Sequence, residues 1–244
     1  INLPRNLLAE KNNYKINEKI KSFKNTNDTQ SNPNSIKRAA KLISNSSKGI
    51  IIVGGGIKYT SGFKTIIKLA EYLDVPIVTA AGHGDAIPFN HKLNAGQMGP
   101  RGNPVATKLT KEADVIIAIG TRLGFNSTFL SYEYINKKAK IIQIELEKKM
   151  LGKYFPIQIG INADAETSAN QILNELKKKK IKLEVKNWTK QFLKDRSNFL
   201  LDRDKIKYKN YPIQPFGLFK ELRRVLPKNS AITLDAGTLC LQAT

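Results

Sequence analysis

Glycine turns that follow apolar runs are the features of this sequence best suited to chemistry, because they could bind phosphate. The run Ile50–Val53 leads into Gly54-Gly55-Gly56, and the run Val115–Ile119 leads into Gly120-Thr121-Arg122. Glycine lets an anion approach the backbone closely, and a guanidinium can hold phosphate through two hydrogen bonds. The pattern predicts a nucleotide-type site, although a glycine turn of this kind can also serve only to reverse the chain.

A third glycine-rich segment, Gly96–Asn103, precedes a predicted helix and contains Arg101. Backbone amides at the start of a helix attract anions. We therefore predict a backbone cradle here, with Arg101 making a bidentate contact to the same kind of ligand.

Metal and nucleophile chemistry is less favoured by the residue pattern. His83 and His91 flank Asp85, but their spacing matches no compact ligand pattern, which indicates a loop. Cys240 is the single cysteine and has no evident base partner, so neither a disulfide framework nor a cysteine nucleophile is predicted. The sequence has no serine-centred elbow and no H-E-x-x-H segment, so no self-sufficient catalytic set is visible.

The formal net charge of +21 raises the question of a nucleic-acid partner. The lysines are dispersed, often beside Asn and Ile, and no aromatic residues interleave with them, so we expect solvated helix faces and no nucleic-acid binding. No stretch approaches the ~20 apolar residues of a membrane span, and no signal segment opens the chain. These observations predict a soluble cytoplasmic protein with no membrane partner.

Short β-branched runs separated by helix-period segments must position the glycine turns. Strands are predicted at 50–53, 75–79, 114–119 and 140–146, with a further apolar run at 157–161, and helices after Ser35 as N-cap and at about 62–73, 103–112 and 165–178. This order predicts an α/β fold, a Rossmann-like doubly wound parallel sheet buried on both faces. In such sheets, ligands bind beyond the carboxyl ends of the strands.

Shifts in composition divide the chain into five predicted regions. These are the end of a preceding domain at 1–8, a polar linker at 9–34, a central α/β domain at 35–180, a helical linker at 181–211 draped over the surface, and the start of another domain at 212–244. In the last region we expect an amphipathic helix and a strand at 231–234, which cannot make a stable sheet alone. We therefore expect flanking domains truncated at both ends.

In this order, the motifs resemble the thiamine-diphosphate-dependent enzymes of the acetolactate synthase type, over essentially all 244 residues. Ile1–Arg5 resembles the last strand of that family's N-terminal pyrimidine-binding domain. Residues 35–178 resemble its central domain, and Asp235-Ala236-Gly237 resembles the start of its diphosphate-binding domain.

The resemblance implies two organic cofactors. Thiamine diphosphate would meet the backbone at Ala236, Gly237 and Thr238, and its Mg²⁺ would be held by residues outside this chain. Acetolactate synthases also carry FAD on the central domain. The FAD contacts would fall at Gly54, Gly55, Gly56, Thr79, Gly120, Arg122, Glu145, Asp164 and Ala165.

Departures from that family's pattern leave FAD open. Pro100-Arg101 stands where the family usually has Met-His, Gly124 replaces acidic residues, and Thr238-Leu239 replaces Gln-His. Lys149–Gly152, together with Gly160–Ala165, is also similar to sulfoacetaldehyde acetyltransferase, a relative that works without FAD.

The reaction that the resemblance implies starts from a 2-keto acid, which loses CO₂ before its remaining carbons are joined to an acceptor. It also implies a homodimer or homotetramer, and a chain that is inactive without the domains around it. Two alternatives remain: a thiamine-diphosphate decarboxylase without FAD, and a non-catalytic nucleotide-binding module with the same central fold. The segments 1–5 and 212–244 argue against the free-standing module.

Overall fold

The computed structural model describes residues 30–58, 62–205, 212–227 and 229–233, together with a few single positions between 6 and 13 and Gly237. In this part of the chain, six parallel strands form one sheet. They are β1 Gly49–Val53, β2 Ile77–Thr79, β3 Asn94–Gln97, β4 Val115–Ile119, β5 Lys140–Ile144 and β6 Ile159–Ile161.

The strand order of the sheet is β3-β2-β1-β4-β5-β6, so the chain winds outward in both directions from the centre. Val53 at the end of β1 pairs with Thr79 on one side and with Ile119 on the other. The order reverses between β1 and β4, which confirms the predicted doubly wound parallel sheet.

Helices precede, connect and follow the strands of the sheet. They are α1 Pro33–Ile43, α2 Phe63–Leu73, α3 Pro104–Glu112, α4 Phe125–Thr128, α5 Ala165–Lys178, α6 Lys186–Lys205 and α7 Pro215–Val225. All five residues of β1 and all five of β4 are buried, as strands covered on both faces should be. Within the described residues, no helix is both long and apolar enough to cross a membrane.

Several predicted boundaries need correction. The first helix begins at Pro33, not after Ser35, because the side chain of Asn32 accepts a hydrogen bond from the backbone of Asn34 and caps it. Strand β3 was not predicted, since Asn-Ala-Gly-Gln contains no β-branched residue. Residues 231–233 form no strand, and Leu234 lies outside the described residues.

Helix α6 is packed against the sheet and not draped over the surface. The indole Nε1 of Trp188 donates a 3.0 Å hydrogen bond to the carbonyl of Gly49, and the hydroxyl of Thr189 donates to the carbonyl of Asp74. Phe192 is fully buried in the same core as the strands. The guanidinium of Arg196 donates to the carbonyl of Asn94 at 2.8 Å. This contact ties α6 to strand β3.

Asp114 joins the start of β4 to the loop before β1. Its carboxylate accepts hydrogen bonds from the hydroxyls of Ser46 and Ser47 and from the backbone N–H groups of Ser47 and Lys48, at 2.6 to 3.0 Å. Burial of the carboxylate opposes ionisation, but these hydrogen bonds outweigh it, and the pKa of Asp114 lies below its ordinary value.

We expect Asp114→Asn to lower the free energy of unfolding at pH 7 by about 1–2 kcal/mol, because an amide group replaces one of the two accepting oxygens. A depressed folded-state pKa stabilises the protein above the unfolded-state pKa of about 3.9, and this contribution is lost as the pH falls through the folded-state value. Urea unfolding at pH 7 and pH 3 should therefore show a difference from wild type that shrinks in acid. The control is Asp202→Asn, an exposed carboxylate on α6; an equal loss in both variants would contradict the role of Asp114.

Candidate functional site

Every predicted site residue within the central domain lies at the carboxyl edge of the sheet. The glycine turn Gly54–Gly56 follows β1, Thr79 ends β2, and Arg101 follows β3. The remaining residues follow β4, β5 and β6: Gly120, Arg122, Glu145, Asp164 and Ala165. The parallel topology gathers them on one side, because the carboxyl ends of parallel strands meet at the same edge.

The two glycine turns at the centre of this edge pack directly against each other. The N–H of Gly54 donates to the carbonyl of Ile119 at 3.1 Å, and the N–H of Gly56 donates to the carbonyl of Gly120 at 3.0 Å. A Cβ on Gly54 would lie 2.5 Å from the Gly120 carbonyl oxygen, and a Cβ on Gly56 would lie 2.7 Å from the Gly120 Cα. The glycines are therefore needed for contact between two backbones.

The imidazole of His83 covers the middle glycine. A Cβ on Gly55 would lie 2.7 Å from Cε1 of His83. Burial lowers the pKa of His83, the ammonium of Lys58 lowers it further, and the carboxylate of Asp85 opposes the shift. Lys58 and Asp85 form an ion pair of 2.5 Å beside the ring. The imidazole is consequently neutral at pH 7.

Two buried polar atoms near these turns lack a hydrogen-bond partner among the described residues. They are the Thr79 hydroxyl, at the end of β2, and Nδ1 of His83. A buried polar group without a partner costs free energy, and an ordered water is the usual way to satisfy it.

The segment Thr121–Leu130 contains the short helix α4 and crosses the carboxyl edge of the sheet. We call this segment the closing loop. The hydroxyl of Ser127 accepts a hydrogen bond from the N–H of Ala81, after β2, at 3.0 Å. A Cβ on Gly99, after β3, would lie 2.6 Å from the carbonyl oxygen of Ser127. The loop that leaves β4 therefore reaches past β1 to the ends of β2 and β3.

The side chains predicted to contact FAD at the outer strands have partners within the protein. Arg122 is exposed, with Nη2 3.9 Å from Oε2 of Glu147. Oε1 of Glu145 accepts from the N–H of Leu146 at 3.0 Å. Asp164 caps helix α5 by accepting from the N–H of Thr167 at 2.8 Å. The hydrogen bonds of Glu145 and Asp164 give these two residues a structural role, whereas the exposed pair of Arg122 contributes little. Ala165 is the buried first residue of α5.

The predicted cradle after β3 is a tight turn whose amides bond within the chain. The N–H of Gly102 donates to the carbonyl of Gly99, and the N–H of Asn103 donates to the carbonyl of Gln97. Asn103 caps α3 by accepting from the N–H of Val105 at 2.8 Å. Arg101 projects into solvent at the tip of this turn.

The predicted thiamine diphosphate contacts lie almost wholly beyond the described chain. Ala236 and Thr238 are outside the described residues. Around Gly237, no described atom would come within 4 Å of an added Cβ. His83 and His91, weighed above as metal ligands, have separate surroundings, since Nε2 of His91 pairs with Glu71 at 3.3 Å. Among the described residues, no group of three or more His, Cys, Asp or Glu side chains could hold a metal ion.

A comparison of the sequence with models of protein families agrees with the observed fold. Residues 36–175 match the model of the central domain of thiamine pyrophosphate enzymes. The chain belongs to the thiamine pyrophosphate enzyme family. The matched residues run from helix α1 to helix α5, so the family's central domain and the six-stranded sheet coincide.

Curated relatives of the chain include sulfoacetaldehyde acetyltransferases and acetolactate synthase large subunits. The sulfoacetaldehyde acetyltransferase of Castellaniella defragrans is 30% identical over 225 residues, which cover 84% of this chain and 38% of the relative. That of Roseovarius nubinhibens is 34% identical and covers 72% and 29%. The probable acetolactate synthase large subunit of Methanocaldococcus jannaschii is 33% identical and covers 86% and 36%. The chain thus spans less than two fifths of the length of these relatives.

The glycine turns after β1 and β4, at the crevice where the strand order reverses, are packed against other parts of the protein. The glycines that would face the phosphates of FAD face the backbone of Gly120 and the ring of His83, with no room left for a Cβ. Sequence reasoning found the glycines, considered His83 only as a metal ligand, and missed Ser127. The sequence held no signal for their contacts, which depend on how three separate loops meet.

Proposed function

We propose that this protein is a thiamine-diphosphate-dependent transferase that breaks a carbon–carbon or carbon–sulfur bond near a carbonyl group. It releases CO₂ or sulfite and passes the remaining acyl unit to an acceptor. The observation that carries the proposal is the family match over residues 36–175. It is supported by the doubly wound sheet, whose strand order reverses between β1 and β4. The cofactor set is thiamine diphosphate with Mg²⁺.

The sulfoacetaldehyde acetyltransferase branch is the better supported of the two. Relatives with that name are 30–36% identical to the chain. The crevice supports the same branch, because the glycines that the resemblance assigns to flavin are packed against Gly120 and His83. The second candidate is an acetolactate-synthase-like carboligase acting on a 2-keto acid, favoured by relatives of similar identity such as that of Methanocaldococcus jannaschii.

Thiamine diphosphate supplies the electron sink for either reaction when it is bound. The central domain contributes a rigid scaffold, since its strands and the loops after them are joined by backbone contacts. We further propose that the substrate is a small molecule, that the intact enzyme is a homodimer or homotetramer, and that it is located in the cytoplasm.

The test is an assay of the enzyme expressed from its complete reading frame, with sulfoacetaldehyde and pyruvate offered separately in phosphate buffer, so that inorganic phosphate is present as an acyl acceptor. We expect consumption of sulfoacetaldehyde that falls to background when thiamine diphosphate is omitted or Mg²⁺ is chelated. Release of CO₂ from pyruvate with the same cofactor dependence would instead assign the acetolactate-synthase-like reaction. A protein that turns over neither compound, with both cofactors present, would overturn the proposal and favour a non-catalytic nucleotide-binding module.

A further inference from the structure

The closing loop takes an unusual path for a doubly wound sheet. In such a sheet a dinucleotide lies in the crevice where the strand order reverses, which here is the gap between the ends of β1 and β4. The loop that leaves β4 does not stay on its own side of this crevice. Through Ser127 it contacts Ala81 after β2 and Gly99 after β3, so it spans the crevice and the end of β1 between them.

The closing loop is firmly built. The side chains of Leu123, Ser127 and Thr128 are buried. The Thr128 hydroxyl lies 3.1 Å from the carbonyl oxygens of Leu123 and Gly124 and accepts from the N–H of Leu130 at 3.1 Å. Leu123 and Leu130 have φ of 52° and 55°, a left-handed conformation that costs a leucine free energy. The surrounding contacts must hold these residues in place.

The positions that Cβ atoms would take on the glycines of the β1 turn are occupied by other parts of the protein. In a dinucleotide-binding turn, the missing Cβ lets the phosphates approach the backbone. Here the missing Cβ of Gly54 and that of Gly56 make room for the Gly120 turn, and that of Gly55 makes room for His83. The N–H groups of Gly54 and Gly56 are also engaged, by the carbonyls of Ile119 and Gly120.

We infer that the crevice is closed by the protein's own residues and takes no flavin or other dinucleotide. The closing loop performs the structural task that a bound dinucleotide would perform, because it joins the β4 side of the sheet to the ends of β2 and β3. This inference does not depend on which substrate the enzyme uses.

The direct test is the 244-residue chain, purified and examined for bound flavin and for ligand-induced stabilisation. We expect no flavin band in its visible spectrum and a change in Tm below about 1 °C with 0.1 mM FAD or NAD. If either bound with an affinity of about 1 μM, the hundredfold excess would raise Tm by about 5–10 °C. A flavin band, or a rise of that size, would overturn the inference.

A variant tests the closing loop itself. Ser127→Ala removes the acceptor of the Ala81 N–H, so Tm should fall by about 3–8 °C. The matched control is Ser131→Ala, in the same connection, where the hydroxyl accepts from the exposed N–H of Glu133; we expect a fall of about 1 °C or less. Equal Tm values for the Ser127 variant and wild type would contradict the structural role of the loop. Neither readout involves turnover, so failure of the proposed reaction would leave both results standing.

Discussion

Replacement of Gly120 by valine is expected to lower the free energy of unfolding by about 3–6 kcal/mol, because two costs add. Gly120 has a φ of 59°, which a β-branched residue adopts only under strain. Its Cβ would also lie 2.8 Å from the Cα of Gly56, a backbone atom that cannot move aside without breaking the contact between the turns. Urea unfolding followed by far-UV circular dichroism measures the loss.

The matched control for this variant is Gly84→Val. Gly84 has no heavy atom within 4 Å of an added Cβ and lies on the exposed turn after β2. We expect its free energy of unfolding to stay within about 1 kcal/mol of wild type. Should Gly120→Val be too unstable to purify, Gly120→Ala provides the same comparison with a loss of about 2–4 kcal/mol. A Gly120→Ala protein as stable as wild type would show that the turns do not pack as described.

Trp188→Ala is expected to cost about 3–5 kcal/mol of unfolding free energy. The indole is 9% exposed, packs within the core beneath the sheet and donates to the carbonyl of Gly49, the first residue of β1. Truncation would therefore leave a cavity and an unpaired carbonyl at the start of the central strand. Chemical denaturation of the purified chain gives the difference directly.

Two further variants separate the parts of this effect. Trp188→Phe keeps most of the packing but removes the hydrogen bond, and should cost about 1–2 kcal/mol. Leu201→Ala, also on α6 but 55% exposed, should change stability by less than about 1 kcal/mol. If Trp188→Ala lowered the free energy of unfolding no more than Leu201→Ala does, helix α6 would lie on the surface without packing into the core. That is the arrangement that the sequence predicted for residues 181–211.

The sheet was largely predictable because apolar runs report burial directly. Gly49–Val53 and Val115–Ile119 are buried along their whole length and were recognised as strands. Helix α5 has the predicted bounds, since its apolar face repeats at helical spacing and Asp164 caps it. Strand β3 could not be found in this way. Its position depends on distant contacts, including the hydrogen bond from Arg196 of α6 to the carbonyl of Asn94.

The roles of the site residues were harder to predict than their positions. The glycine turns lie where the sequence places them, but a sequence cannot show whether a missing Cβ makes room for a phosphate or for another backbone. At Gly54 and Gly56 the neighbour is Gly120, 66 and 64 residues along the chain from them. The contact of Ser127 with Ala81 likewise depends on the path of a loop, which no periodicity specifies.

Amide hydrogen exchange of the ligand-free 244-residue chain tests the closed crevice most directly. The N–H groups of Gly54 and Gly56 donate to Ile119 and Gly120, so both should be protected to the same degree as the amides of strand β1. The Gly54 bond continues the β1–β4 ladder and would persist in an open site. Gly56 is therefore the diagnostic amide, because an open dinucleotide site would leave it facing solvent. Protection of the Gly56 amide equal to that of β1 is the predicted result; exchange of Gly56 as fast as that of exposed loop amides would contradict a crevice closed by the protein itself.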